Sequence, residues 1–199
     1  MNENERASKL ELSIVSPVYM AEGIINQLVR DVSETCDSLG KKYEIILVED
    51  GSDDKSWHEI KKICRINPMV KGLKLSRNFG QHVAIKAGIK KAKGRWIVVM
   101  DCDLQDKPSE IKNLYRKAKE GYPIVRARRI NRRDNIYKKY ISRIYYMIYE
   151  YLTGINQDSS IANFGIYHRK VIKAITELND KDPFFPSQIN WVGFSKYDL

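Results

Sequence analysis

No stretch of this 199-residue chain approaches the roughly 20 consecutive apolar residues that a membrane-spanning helix needs. Its first nine residues, MNENERASK, are polar and charged where an export signal carries an apolar segment. Neither a membrane span nor an export signal is expected. The three cysteines, Cys36, Cys64 and Cys102, are odd in number and scattered, which argues against a disulfide framework and against the paired spacing of a zinc site. A reducing, cytosolic setting is expected. Glycine-rich phosphate loops of the GxGxxG and GxxxxGK(S/T) kinds are missing, so any bound phosphate would have to be neutralised by a metal or by arginines. His58, His82 and His168 are dispersed, and no Ser/His/Asp or Cys/His set for a nucleophile is visible. No internal repeat, low-complexity tract or Ser/Pro/Gly-rich linker marks a boundary. The expected organisation is a disordered polar lead-in over residues 1–9 and one domain over residues 10–199.

What the chain does have is a hydrophobic fraction of 43%, enough for one α/β core, and a formal net charge of +10. That charge points to an anionic partner: nucleic acid, an anionic membrane surface or a phosphorylated substrate. Its distribution is uneven. Arg126, Arg128, Arg129, Arg132, Arg133, Lys138, Lys139 and Arg143 crowd one segment, opposed by Asp134. After this basic loop, taken as residues 126–135, Tyr137, Tyr140, Ile141, Ile144, Tyr145, Ile148 and Leu152 fall on one face of a helix predicted over 136–152.

Earlier in the chain, apolar runs and helical spacing alternate. Strands are predicted over residues 10–18, 43–49, 70–76 and 96–100. Helices are predicted up to Leu39, from a cap at Asp53 or Asp54 to Ile66, over 81–92, and from Pro108 onward. Such alternation implies an α/β fold with a mostly parallel central sheet flanked by helices, whose ligands bind beyond the carboxyl ends of the strands. Two acidic clusters fall there: Glu49-Asp50-Gly51-Ser52-Asp53-Asp54 and Asp101-Cys102-Asp103-Leu104-Gln105-Asp106.

Asp101 and Asp103 at the mouth of a buried strand can aim two carboxylates at one divalent cation. Oxygen donors alone suit magnesium or manganese, and Gln105 offers a further neutral oxygen. Taken alone, such a pair is also what a turn before Pro108 carries, and Asp106 and Ser109 read as capping residues. Asp50, before Gly51, reads either as a turn aspartate or as an acceptor for a nucleoside.

The ordered set of motifs resembles glycosyltransferase family 2, and within it the dolichol phosphate mannosyltransferase and bactoprenol glucosyltransferase group. Its pieces are Ser16-Pro17-Val18-Tyr19, Val48-Glu49-Asp50-Gly51-Ser52, Leu75-Ser76-Arg77-Asn78-Phe79-Gly80-Gln81, the Asp101-to-Asp106 run, Ala127-Arg128-Arg129-Ile130-Asn131-Arg132 and Trp191-Val192-Gly193-Phe194. The resemblance implies a Rossmann-like GT-A catalytic domain and an inverting transfer of sugar from a nucleoside diphosphate donor, a UDP-sugar. The implied acceptor is membrane-associated, such as a polyprenyl phosphate, reached from the cytoplasm at the inner face of an anionic membrane. By the same resemblance Pro17, Tyr19, Glu22, Asp50 and Asp101 bind the donor. Asp101, Asp103 and Gln105 hold Mg2+ or Mn2+, and Arg129 and Arg132 contact phosphates near the acceptor. Arg77 lies in a matching motif without an implied contact.

Departures from the family pattern are Met20 in place of Asn, Glu49 in place of Asp, and Ala162-Asn163-Phe164-Gly165-Ile166 where lipid-phosphate enzymes often carry Gly-Asp-Phe-Arg-Leu. The last weakens the case for a lipid phosphate and favours, as an alternative, transfer to a hydroxyl of a growing cell-surface polysaccharide. That reaction requires a base, for which Asp158 is the candidate. The chain stops soon after Phe194, before segments that close many relatives, so a truncated catalytic domain is expected. The reading from a different class, a basic nucleic-acid-binding domain, leaves both acidic loops unexplained, and no nucleic-acid partner is expected.

Overall fold

The computed structural model describes residues 10–128, 161–178 and 184–199. The lead-in 1–9, Arg129, Arg132, Asp158 and the helix expected over 136–152 lie outside the described residues.

Seven strands form one sheet in the order β3-β2-β1-β4-β6-β5-β7. They are β1 (Leu12–Val18), β2 (Tyr43–Glu49), β3 (Val70–Lys74), β4 (Trp96–Val99), β5 (Ile124–Arg128), β6 (Ile161–His168) and β7 (Lys196–Asp198). Every described pairing is parallel except those of β6, which runs antiparallel to both β4 and β5. The helices between them are α1 (Ile25–Ser38), α2 (Ser56–Ile66), α3 (Gln81–Lys91), α4 (Ile111–Lys119), α5 (Arg169–Glu177) and α6 (Phe185–Trp191). A short 3-10 turn at Pro108–Glu110 leads into α4.

Period-two alternation divides the core between the two faces of the sheet. Ile45, Leu47, Trp96 and Val98 join α1, α2 and α4 on one side, whereas Ile46, Val48, Ile97 and Val99 join α3, α5 and α6 on the other. All seven residues of β1 and of β2 are buried. Burial on both faces explains why these strands read as continuous apolar runs. Ile25, Leu28, Val29, Val32 and Cys36 put a single apolar stripe of α1 into this core.

Gly88 sets the closeness of α3 to the sheet. A Cβ there would stand 2.4 Å from Val15 Cγ1 and 3.0 Å from Val48 Cγ2, so only glycine lets the helix settle over β1 and β2. The first turn of α3 is thereby fixed at the carboxyl end of the sheet.

Strand limits differ from the expected ones by one or two residues at 10–18, 70–76 and 96–100. A larger correction concerns the basic loop expected over 126–135, because Arg126 and Arg128 belong to β5. Arg126 is 5% exposed and its guanidinium makes a forked pair with Asp198, at 2.8 and 2.9 Å. It is therefore a buried tie between β5 and β7 and no part of an exposed cationic surface.

Candidate functional site

A cleft opens where the strand order reverses between β1 and β4, the place at which open α/β sheets bind ligands. The local cause is visible in the ladders. Val15 accepts from Met100 at 3.1 Å on the β4 side, and Val18 accepts from the Asp50 amide at 2.9 Å on the β2 side. Strand alternation turns the nitrogen of Pro17 toward β4, just past the end of that ladder. A proline in a central strand is tolerated there because no partner is left for an N–H. The cavity beyond has a volume of ≈ 330 Å³ and is lined by Pro17, Val18, Tyr19, Asp50, Asn78, Gly80, Gln81, Asp101, Cys102 and Asp103.

Five residues expected at the donor and metal site, Pro17, Tyr19, Asp50, Asp101 and Asp103, are thus brought together, whereas Glu22 and Gln105 do not line the cavity. Tyr19 keeps half of its surface exposed. Asp50 is 3% exposed, and its two oxygens accept the amides of Phe79 and Gly80 at 2.8 and 2.9 Å. The loop before α3 is held to β2 by one carboxylate. Gly51, at φ +70°, completes this junction, since a Cβ there would lie 2.3 Å from the backbone of Arg77 and Asn78.

Much of the first acidic cluster does structural work. The amides of Met20, Ala21 and Glu22 donate to Ser52 Oγ, Ser56 Oγ and Asp54 Oδ2 at 3.0, 3.0 and 3.1 Å. In return, Glu22 Oε2 accepts the Lys55 amide at 2.8 Å. Glu22 therefore couples two loops at the cavity rim. Asp54 Oδ1 also accepts the Ser56 amide at 2.9 Å, but the N-cap position of α2 is Lys55, which makes no side-chain cap bond, so the cap expected at Asp53 or Asp54 lies at least one residue outside the helix start. Buried Glu49 accepts the Ser52 amide through Oε1, while its Oε2 has no protein partner.

The second cluster is built differently. Asp103 is exposed and accepts the Gln105 amide at 3.1 Å, closing a tight turn in which Leu104 takes φ +58°. The backbone N–H of Gln105, and no contact of its side chain, is what ties it to Asp103. Asp101 Oδ1 accepts a hydrogen bond from the side-chain amide of Gln81, the first residue of α3. Burial raises the Cys102 thiol above its ordinary value, the Tyr19 amide opposes this, and the flanking Asp103 and Asp101 reinforce it, so this cysteine stays a neutral wall residue.

Among the described residues no three His, Cys, Asp or Glu side chains form a metal cage. Two carboxylates at a cavity mouth nevertheless fit magnesium or manganese, which characteristically combine one or two protein carboxylates with substrate phosphates and water. The donor set is therefore adequate for a cation that arrives with a diphosphate.

Asn78 and Gln81 were not assigned roles from sequence. The signal was present, since both sit in the Arg77-to-Gln81 motif, but only the fold places that loop beside Asp101. At the other departure, a Cβ on Gly165 would lie 2.7 Å from the Tyr167 hydroxyl and 2.9 Å from the Val125 carbonyl. Buried Tyr167 occupies the space that a side chain at 165 would need. Asn163, two residues beyond Gly165 (the partner of Val99), reaches the same end of the sheet as Asp101.

The sheet and its cleft define a GT-A type α/β fold. The sequence model of glycosyl transferase family 2 matches residues 13–176, and the chain belongs to that family. It is 37% identical over 188 residues to the uncharacterized glycosyltransferase YkcC of Bacillus subtilis (strain 168), covering 94% of this chain and 58% of that one. It is 36% identical over 187 residues to an undecaprenyl-phosphate 4-deoxy-4-formamido-L-arabinose transferase of Shewanella sediminis (strain HAW-EB3), covering 94% and 56%. The chain thus spans little more than half the length of these relatives. Among solved structures, residues 1–349 of S. aureus TarS superpose with a TM-score of 0.64 at 16% identity, covering 96% of this chain and 58% of that one. The mannosyltransferase PcManGT of Pyrobaculum calidifontis, solved with GDP-Man and Mn2+, gives 0.63 at 15% identity, covering 95% and 54%.

Proposed function

We propose that this chain is the catalytic domain of an inverting glycosyltransferase that moves a sugar from a UDP-sugar to a membrane-associated polyprenyl phosphate. The observation that carries the reading is the single cavity at the β1/β4 switch, which joins Tyr19 and Asp50 to Asp101 and Asp103. The half-exposed Tyr19 ring offers a stacking face for a nucleobase. Each Asp50 oxygen already accepts one backbone hydrogen, and a carboxylate has about four acceptor sites, so capacity remains for a donor on the base or ribose. Asp101 and Asp103 would hold Mg2+ or Mn2+, which when bound neutralises charge on the departing diphosphate. Gln81 fixes the direction of Asp101 for that task.

In the transfer, an acceptor oxygen forms a bond to the anomeric carbon from the face opposite the diphosphate. The bond from that carbon to the diphosphate breaks, and its electron pair leaves on the diphosphate oxygen. A phosphate acceptor is already ionised near neutral pH and needs little help from a base. Arg129 and Arg132 are assigned to its phosphate by their match to the family motif. The Shewanella relative's name, which specifies undecaprenyl phosphate, supports this acceptor. TarS with UDP-GlcNAc and PcManGT with GDP-Man and Mn2+ support a nucleotide-sugar donor and a divalent cation. We place the domain at the inner membrane face through its acceptor and its basic segment; among the described residues no helix is long and apolar enough to cross a membrane.

Incubation with UDP-sugars and undecaprenyl phosphate tests the reading. A sugar-phosphate-lipid product is expected. Transfer to glycan hydroxyls without any lipid product would replace it by the polysaccharide alternative, in which Asp158 serves as base.

A further inference from the structure

Residues 20 and 49, two positions at which the chain departs from the family pattern, are joined through one serine. Glu49 Oε1 accepts the Ser52 amide, and Ser52 Oγ accepts the Met20 amide at 3.0 Å. Strand alternation puts the Glu49 side chain on the face of Ile45 and Leu47, against α1 and α2, and leaves Asp50 to hold the loop before α3. The two neighbouring acids therefore serve different loops. Glu49 is fully buried, and its Oε2 has no protein partner. A carboxylate in such a place is costly, and the bond to the Ser52 amide is the one hydrogen bond its side chain makes among the described residues.

The Met20 N–H belongs to the rigid peptide plane that leaves Tyr19. By holding that plane, Ser52 sets the ψ of Tyr19, a half-exposed residue that lines the donor cavity. Strand β1 fixes the chain before Tyr19, and Ser52 fixes it after. The second hold matters because Met20 sits at φ +50°, a conformation that a residue with a flexible apolar side chain adopts at a cost. The reach of the acid matters as well. Glutamate at 49 bonds the amide three residues on, whereas an aspartate side chain characteristically bonds the amide two residues on, here that of Gly51.

We propose that Glu49 is a positioning residue of the donor site: acting through Ser52, it holds Met20 in the left-handed conformation and so fixes Tyr19 for the nucleobase. Glu49 touches neither donor nor cation in this account. Its effect reaches the nucleoside half of the cavity and leaves the Asp101 and Asp103 half untouched. Residues 49 and 20 then act as a coupled pair, because a residue that adopts positive φ readily at position 20 has less need of the hold from Ser52. The inference rests on the donor reading of the cavity proposed above.

The test is a double-mutant cycle on the full chain, read by calorimetry in the presence of Mn2+ with UDP and with inorganic pyrophosphate as the two probes. Glu49→Asp is expected to weaken UDP by about threefold to tenfold, the effect of one hydrogen bond, and to leave pyrophosphate unchanged. Adding Met20→Asn, which tolerates positive φ, should restore most of the lost UDP affinity, whereas Met20→Asn alone should change it little. Glu49→Gln keeps both the reach and an accepting oxygen and should bind UDP as the native chain does. Ser52→Ala removes the Oγ while keeping the amide that Glu49 accepts, so it should reproduce the loss and its rescue, and it decides the matter if Glu49→Asp fails to fold. Equal losses for UDP and pyrophosphate, additive effects at positions 49 and 20, or unchanged UDP affinity in Glu49→Asp and Ser52→Ala overturn the proposal while the donor reading stands. A native chain that binds neither probe overturns the donor reading and this inference with it.

Discussion

The Gly80 amide donates to Asp50 Oδ2 at 2.9 Å, and the neighbouring Phe79 amide donates to Oδ1 of the same residue at 2.8 Å. One buried carboxylate thus fixes the loop that presents Asn78 and Gln81 to the cavity. Asp50→Asn replaces one acceptor by a donor facing an N–H, and a destabilisation of about 1–3 kcal/mol is expected. Urea denaturation measures it. Calorimetry with UDP and with pyrophosphate separates the loop role from direct nucleoside contact. Loss confined to UDP assigns Asp50 to the nucleoside, and equal loss for both assigns it to the loop alone.

Met20 sits at φ +50° and is 56% exposed. Left-handed backbone is costly for a residue with a flexible apolar side chain, whereas asparagine and glycine adopt it readily. Met20→Asn, which restores the residue usual in the family, is expected to stabilise the fold by about 0.5–1 kcal/mol. Met20→Val should do the reverse. Thermal midpoints check both, and equal midpoints for the two variants would remove the backbone explanation.

Far from the donor cavity, Glu44 is 2% exposed and accepts from Ser13 Oγ and the Lys93 amide, each at 2.6 Å, and from Lys71 Nζ. Burial acts to raise its pKa, but the hydrogen bonds from Lys71, Ser13 and the Lys93 amide outweigh it and hold the value below the ordinary 4.5. A depressed folded-state value means that the stabilisation is fully present above the ordinary value. It is lost as pH falls through the depressed one. Glu44→Gln should cost about 1–3 kcal/mol near neutral pH and flatten the acid limb of the stability curve. Urea midpoints measured from neutral pH down through the carboxylate range test this; parallel curves for the two proteins would contradict it.

The parallel half of the fold was legible because β1, β2 and β4 are buried on both faces and read as uninterrupted apolar runs. The antiparallel return was not. β6 carries Asn163 and Gly165, and β5 carries Arg126 and Arg128, so neither shows a clean period. Arg126 looked like a member of a cationic loop because its partner, Asp198, lies 72 residues away in sequence. Asp101 and Asp103 were readable from their spacing, whereas Gln81 required the fold, since its hydrogen bond to Asp101 crosses from α3 to the end of β4. Glu22 illustrates the opposite limit: an acidic residue near the motif, whose carboxylate accepts the Lys55 amide and whose own amide donates to Asp54 Oδ2, both in the neighbouring loop.

Arg129 and Arg132, assigned to the acceptor phosphate, should separate from the lysines farther along. Replacing Arg129 and Arg132 by Ala is expected to abolish transfer even in detergent while leaving UDP affinity intact. Replacing Lys138, Lys139 and Arg143 by Gln should reduce salt-sensitive binding to anionic liposomes, by at most ~1 kcal/mol per residue, and leave UDP affinity unchanged. Liposome binding indifferent to these three would return their segment to an ordinary surface.

The most direct measurement is calorimetry of UDP binding with and without Mn2+, comparing the native chain with Asp103→Ala. Asp103 is exposed at the cavity mouth and contributes little to the core, so the variant should keep the native thermal midpoint. Native protein is expected to bind UDP more tightly when Mn2+ is present, and the variant should lose that increment entirely. An Asp103→Ala protein that folds normally and retains the full Mn2+-dependent gain would contradict the assignment of this cleft as a metal-assisted nucleotide-sugar site.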